Sequence, residues 1–356
     1  MSLLFARNWG YGGSSPEVAQ FVADSRRVIR AILTVSRLNY RPEPFSFTLM
    51  AERIADVKGQ SLDLSEVCEK RACDLLSQFR DSGLTGLNVM WSGGIDSTLA
   101  ILSLLRYWPK EDQKAIGIVL TQESIAEYPK LWYGTLRHRI KKICHGADKP
   151  YDQFMDDALL VTGELGDQCF GSDIINEVIT MVGLDSLWAE DYRDTMIRKI
   201  TVQTGDKALA GRFISLFEPI VKEAPVPIRN AIDFLWWYNF SQKWQYVKYR
   251  CSIFSSQDRV ERNCQRTHHF YDSEDFQRWA IEHHEENFPK DWQSYKDPAK
   301  KLIVSWTGDQ AYMTKVKLQS LSAMMDYHDP AVGMTDDYRY VDSLDDFGRE
   351  GWAYGV

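Results

Sequence analysis

The chain has 356 residues, 44% of them hydrophobic and 13% aromatic, and a formal charge of −8 at pH 7. That composition can bury one large core or two modest ones, contains no apolar run of about 18 residues able to span a membrane, and opposes sequence-blind binding to nucleic acid. The opening MSLLFARNWGYGG lacks the basic, apolar and small-residue order of a secretory signal, so a soluble, cytoplasmic protein is expected.

In chain order, residues 16–35 carry helical apolar spacing behind the start signal Ser14-Ser15-Pro16, and residues 40–48, with two prolines, are excluded from a helix. A second amphipathic helix is predicted over 64–79, opened by Ser61 or Asp63 and closed near Gly83. Residues 87–91, LNVMW, form a short apolar run that enters Ser92-Gly93-Gly94-Ile95-Asp96-Ser97 and continues into the helical stretch TLAILSLLRYW. Strand, glycine turn and helix in that order make an anion site. Gly93 and Gly94 let backbone N–H groups approach a phosphate, the helix adds its positive end, Ser92 and Ser97 offer hydroxyls, and Asp96 supplies the hard carboxylate that Mg²⁺ prefers beside a phosphate.

Residues 115–120, AIGIVL, read as the next strand, and Ser124 and Glu127 behind it either line a pocket or cap a helix. The basic stretch Arg137 to Lys142 reads as a solvated helix face or a phosphate contact. A third strand, 157–162, runs into GELGDQCFGS, Gly163 to Ser172. Beyond Gly183 the sequence turns helical and rich in tryptophan, and Trp236, Trp237, Tyr238 and Trp244 in 232–250 read as packing core. The six cysteines form no CxxC pair and read as reduced thiols, mostly core. From Asp326 to Val356 eight carboxylates stand against two arginines, a local charge of −6.

The SGGxDS element resembles the PP-loop signature of the N-type ATP pyrophosphatases, and a match of five fixed residues arises by accident in roughly one chain in a few thousand of this length. GELGDQCFGS is similar to the Gly-Glu-Gly-x-Asp-Glu-x-Phe-Gly-Gly element of the asparagine-synthetase branch, with Leu165 for the second glycine, Gln168 for a glutamate and Ser172 for the last glycine. Residues 232–250 and 268–281 look like later segments of that branch. The resemblance implies an α/β fold with a parallel sheet flanked by helices, like the adenine nucleotide alpha hydrolases, a helical C-terminal part and a short N-terminal cap. It implies segments 1–85, 86–330 and 331–356: a cap, the synthetase domain and an acidic tail.

By the same resemblance ATP and Mg²⁺ are the cofactors. Ser92, Gly93, Gly94, Asp96 and Ser97 hold pyrophosphate, Asp96 and Asp167 hold the metal, and Glu164 lies at the reacting centre. Val119 and Leu120, at the end of the second strand, meet adenine through the backbone. In DPAKKLIVSW (297–306), Lys301 is the first choice and Lys300 the second for a lysine on pyrophosphate. The expected substrate carries a carboxylate or amide-like oxygen that is adenylated and then attacked by ammonia or an amine. No N-terminal cysteine stands at position 2 and only some 90 residues precede Ser92, so no glutaminase is expected and a separate subunit is a possible ammonia source. Two other readings stay open. A nucleobase-, nucleotide- or tRNA-modifying PP-loop enzyme fits less well with the acidic charge and the lack of paired cysteines. A non-catalytic nucleotide-binding interaction protein fits less well with an intact Asp96 and Asp167.

Overall fold

A computed structural model describes residues 20, 24, 25, 28, 29, 37, 38, 52–56, 62–145, 151–172, 174–189, 191–253, 259–288 and 290–315. Within 16–35 the five described residues are all helical, while 40–48 and the tail 331–356 lie outside the described residues. The chain divides into two compact units, each discontinuous in sequence. One comprises Asp63–Glu164, Phe254–Asp272 and Pro298–Val356; the other comprises Met1–Leu62, Leu165–Ile253 and Ser273–Asp297. The division does not follow chain order, as consecutive segments would.

The first unit is built on a sheet. Its opening helix, α1 (Leu64–Asp81), starts where Asp63 accepts from Glu66 N–H and Glu66 reaches back to Asp63 N–H, both at 2.9 Å. That reciprocal cap satisfies two backbone donors that a helix start otherwise leaves open. The helix ends beside Gly83, whose φ is +67°. Its buried stripe of Val67, Cys68, Ala72, Leu75, Leu76 and Phe79 follows the helical period, and Phe79 stacks on Trp108 at 5.7 Å.

Five strands follow: β1 (Gly86–Met90), β2 (Ile116–Leu120), β3 (Lys142–His145), β4 (Ala158–Thr162) and β5 (Thr267–His269). All neighbours are parallel, in the order β3-β2-β1-β4-β5. Every residue of β1, β2 and β4 is buried, the pattern of a parallel sheet covered on both faces, and it explains why these three read as continuous apolar runs. Helix α2 (Ile95–Tyr107) follows β1 and is buried from Ser97 through Leu105. The fold is therefore α/β, a parallel sheet flanked by helices with a helical C-terminal part. Among the described residues no helix is long and apolar enough to cross a membrane.

The second unit is helical. Helices Tyr192–Thr204 and Lys207–Lys222 are joined through Gly205 in the left-handed conformation, with Asp191 and Asp206 capping their starts. The segment 231–253 is helical throughout but passes through a π turn at Asn239–Lys243. Trp236, Trp237, Tyr238 and Trp244 are fully buried, as their sequence reading expects. Phe217 and Tyr192 lie 4.9 and 4.5 Å from the ring of Phe234. Trp237 uses its indole N–H on the carbonyl of Ile220, 2.7 Å away, so burial leaves that donor satisfied. Cys68, Cys73, Cys144, Cys169 and Cys264 form no disulfide; Cys68, Cys144 and Cys169 are buried, and burial pushes the Cys68 thiol far up.

Candidate functional site

In the sheet unit, β1 lies between strands that the chain reaches in opposite directions: β2 and β3 on one side, β4 and β5 on the other. The carboxyl ends of β1 and β4 therefore flank a topological switch point, the place where open α/β sheets bind ligands because the connecting loops diverge there. The Ser92–Ser97 loop leaves β1 at this point, and Gly163 and Glu164 leave β4. Contact between the two loop ends is close. A Cβ on Gly163 would stand 2.6 Å from the Ser97 nitrogen, too near for any side chain.

The loop is held by its own hydroxyls. Ser97 Oγ accepts from Ser92 N–H at 3.1 Å, lies 3.0 Å from Ser92 Oγ and donates to the Gly94 carbonyl at 3.2 Å; Ser92 Oγ accepts from Gly94 N–H at 3.3 Å. Gly93 has φ +73°, and a Cβ there would collide with the Ser124 carbonyl and sit 2.6 Å from Glu127 Cβ. Both conditions restrict the position to glycine. Gly94 is the N-cap of α2 in extended conformation and, being glycine, offers no capping side chain of its own. The 13-residue helix thus presents its first N–H groups and its positive dipole end at the loop.

Around this frame the structure places the other sequence candidates. Asp96 stands in the first turn of α2, half-buried, and its carbonyl accepts from the buried Tyr271 hydroxyl at 2.9 Å. Ser97 is itself buried, so it serves the loop from inside. Glu164, half-buried, donates its N–H to Thr162 Oγ1 at 3.1 Å, and that oxygen lies 2.6 Å from His269 Nδ1 across the β4–β5 pair. Val119 and Leu120 are fully buried in β2, and the Val119 carbonyl is taken by Trp91 N–H at 2.9 Å. Ser124 closes a capping box with Thr121 at the start of α3 (Gln122–Glu127), which is the capping alternative of its sequence reading. Lys301 is exposed on the helix Asp297–Thr307, whereas Lys300 beside it is buried.

Asp167 belongs to the helical unit, in the short helix Gly166–Phe170. Its carboxylate pairs with Lys296 Nζ at 2.7 Å. Asn239, in the π turn, donates to the carbonyls of Asp167 and Gly171 at 2.7 and 2.8 Å and accepts from Gln168 at 3.0 Å, which braces the short helix from behind. Leu165, where the resembling family has glycine, keeps the left-handed backbone at φ +71°.

Three residues were outside the sequence reading. Lys296 is 3% exposed, adopts φ +60° and lies between the rings of Phe170 and Tyr295, 6.0 and 5.5 Å from their centroids. It stands in the same SYKDPAKK run as Lys300 and Lys301, and nothing in residue type separates the three lysines. Tyr271, within 268–281, and Arg71, within the predicted helix 64–79, carry no residue signal of a site role; Arg71, on α1, donates to the carbonyls of Phe270 and His269 at 3.0 and 2.9 Å. Burial lowers the Arg71 pKa from its ordinary value, with Asp272 and Asp74 acting the other way.

The loop brings together a glycine with no room for a Cβ, the Ser92 and Ser97 hydroxyls and the start of the 13-residue helix α2, parts that suit a phosphate group. Among the described residues no three of His, Cys, Asp and Glu cluster as a metal cage. Mg²⁺ does not need one, because it is usually held by one or two carboxylates together with substrate phosphates. Comparison of the chain with protein-family models, curated proteins and solved structures returns no match.

Proposed function

We propose that this chain is an ATP pyrophosphatase-type ligase of the asparagine-synthetase-like kind, which adenylates a substrate oxygen and passes the activated group to ammonia or an amine. The observation that carries the proposal is the Ser92–Ser97 loop at the switch point, with Gly93 at φ +73° against Ser124 and Glu127. A loop of this build favours the β- and γ-phosphates of ATP, and hence the pyrophosphate that leaves.

In the reaction a substrate oxygen attacks the α-phosphorus and the bond to the β-phosphate oxygen breaks. Pyrophosphate departs with the electron pair, and an acyl- or imidyl-adenylate remains. An amine nitrogen then displaces AMP and loses a proton. The chain's share is positioning and charge stabilisation: N–H groups of the loop and of the α2 start offset the charge gathering on the leaving group. Mg²⁺, when bound, would neutralise phosphate charge beside Asp96. Glu164, which follows Gly163 after β4, accepts the proton of the incoming nucleophile in this reading. Asp167 as a second metal ligand and Val119 and Leu120 as adenine contacts rest on the family resemblance.

Purified protein incubated with MgATP, a panel of carboxylates and ammonium or amines should form AMP and pyrophosphate in equal amounts. Formation of ADP and orthophosphate would replace this reading with a different phosphoryl transfer.

A further inference from the structure

Behind the glycine loop lies a cluster that the proposed chemistry does not use. Glu127, the last residue of α3, is buried, and its side chain forms the floor on which Gly93 sits. A buried carboxylate beside an anion-binding loop is an electrostatic contradiction, because its field opposes the ligand. Lys315 resolves it. Its Nζ lies 2.9 Å from Glu127 Oε1 and also donates to the Glu127 carbonyl. The ammonium is set over the rings of Tyr128 and Tyr312, 5.5 and 5.8 Å from their centroids.

The segment that carries Lys315 is anchored independently. Asp309 accepts from the Tyr128 hydroxyl at 3.1 Å and from Lys130 at 2.7 Å, and Tyr128 and Tyr312 pack with ring centroids 4.5 Å apart. Residues 309–315 thereby strap the far side of the glycine loop.

We propose that Lys315 is a positioning residue for anion binding: by neutralising Glu127 it permits the Gly93 loop to hold a polyphosphate that the carboxylate alone would repel. This rests on reading Ser92–Ser97 as a pyrophosphate loop. A purely structural clasp and a charge-neutralising one differ in sign. If packing alone matters, removing either partner weakens binding. If charge matters, removing the ammonium weakens binding and removing the carboxylate strengthens it.

The test is calorimetric titration of the full chain with magnesium pyrophosphate, using wild type, Lys315→Met, Lys315→Arg and Glu127→Gln. Lys315→Met should bind on the order of tenfold more weakly. Lys315→Arg should stay near wild type, and Glu127→Gln should bind about threefold more tightly, a result that stands even if Lys315→Met does not fold. Weaker or unchanged binding by Glu127→Gln overturns the proposal. If wild type itself binds no pyrophosphate, the functional reading fails. The strap is then judged by hydrogen exchange at Gly93 to Ser97, which should quicken in Lys315→Met and not in Lys315→Arg; equal rates in all three overturn it.

Discussion

Ser97 works on both sides of the anion loop. Its N–H lies in the first turn of α2, and its buried hydroxyl ties Ser92 and Gly94 together. Ser97→Ala should therefore loosen the loop as well as remove a donor, while Asp96→Asn, at a half-buried position, should act chiefly through the charge it removes from the loop. For Asp96→Asn we expect turnover to fall by about 3–4 kcal/mol of barrier with an unchanged unfolding midpoint; turnover like wild type would remove Asp96 from the site. At Gly163 the constraint is steric. Gly163→Ala would drive a methyl to 2.6 Å from the Ser97 nitrogen, so the two loop ends must part, costing about 1–3 kcal/mol of stability by chemical denaturation together with phosphate binding. A fully stable, fully active Gly163→Ala protein would show that the contact can open without consequence.

Among the elements, those legible in the sequence are the ones whose burial is uniform. β1, β2 and β4 are buried from end to end and, apart from Asn88 and Thr162, apolar, because both faces of the sheet are covered, and α1 announces itself through Asp63, Glu66 and the 3.6-residue stripe. β3 and β5 were not legible. Lys142-Ile-Cys-His and Thr-His-His are four and three residues long, each preceded by a charged residue, Lys141 and Arg266, and only pairing with β2 and β4 makes them strands. The π turn at Asn239–Lys243 leaves no trace in an apolar pattern, although it aims Asn239 at the Asp167 helix. Lys296 was hidden among neighbouring lysines, its distinction lying in backbone conformation and the Asp167 pair.

Two element-scale outcomes follow from the same contacts. Asp63→Ala should cost α1 about 1 kcal/mol, read as a shift in denaturation midpoint without a change in slope. In the strap, burial acts to raise the Asp309 carboxyl, but hydrogen bonds from Lys130 and Tyr128 hold it below its ordinary value. A carboxylate depressed in the folded state stabilises above its unfolded pKa of about 3.9, and that stability is lost as pH falls through the lower folded value. Wild type should thus lose part of its advantage over Asp309→Asn as pH drops below about 4, by thermal melting; a gap that stays constant down to pH about 2 would assign the contact no ionic part.

At the scale of the whole molecule, the chain carries a formal charge of −8, so the proposed phosphate binding requires a field confined to the loop. The α2 dipole and, by the proposal for Lys315, its pair with Glu127 would act within a few residues of Gly93. The proposed function turns on this loop holding the pyrophosphate part of ATP. The most direct measurement is magnesium pyrophosphate affinity of wild type beside Gly93→Ala, whose methyl would collide with the Ser124 carbonyl at a positive φ that disfavours a side chain. The account predicts saturable binding by wild type and its loss in a Gly93→Ala protein that keeps its circular dichroism spectrum; equal binding by the two proteins would contradict it.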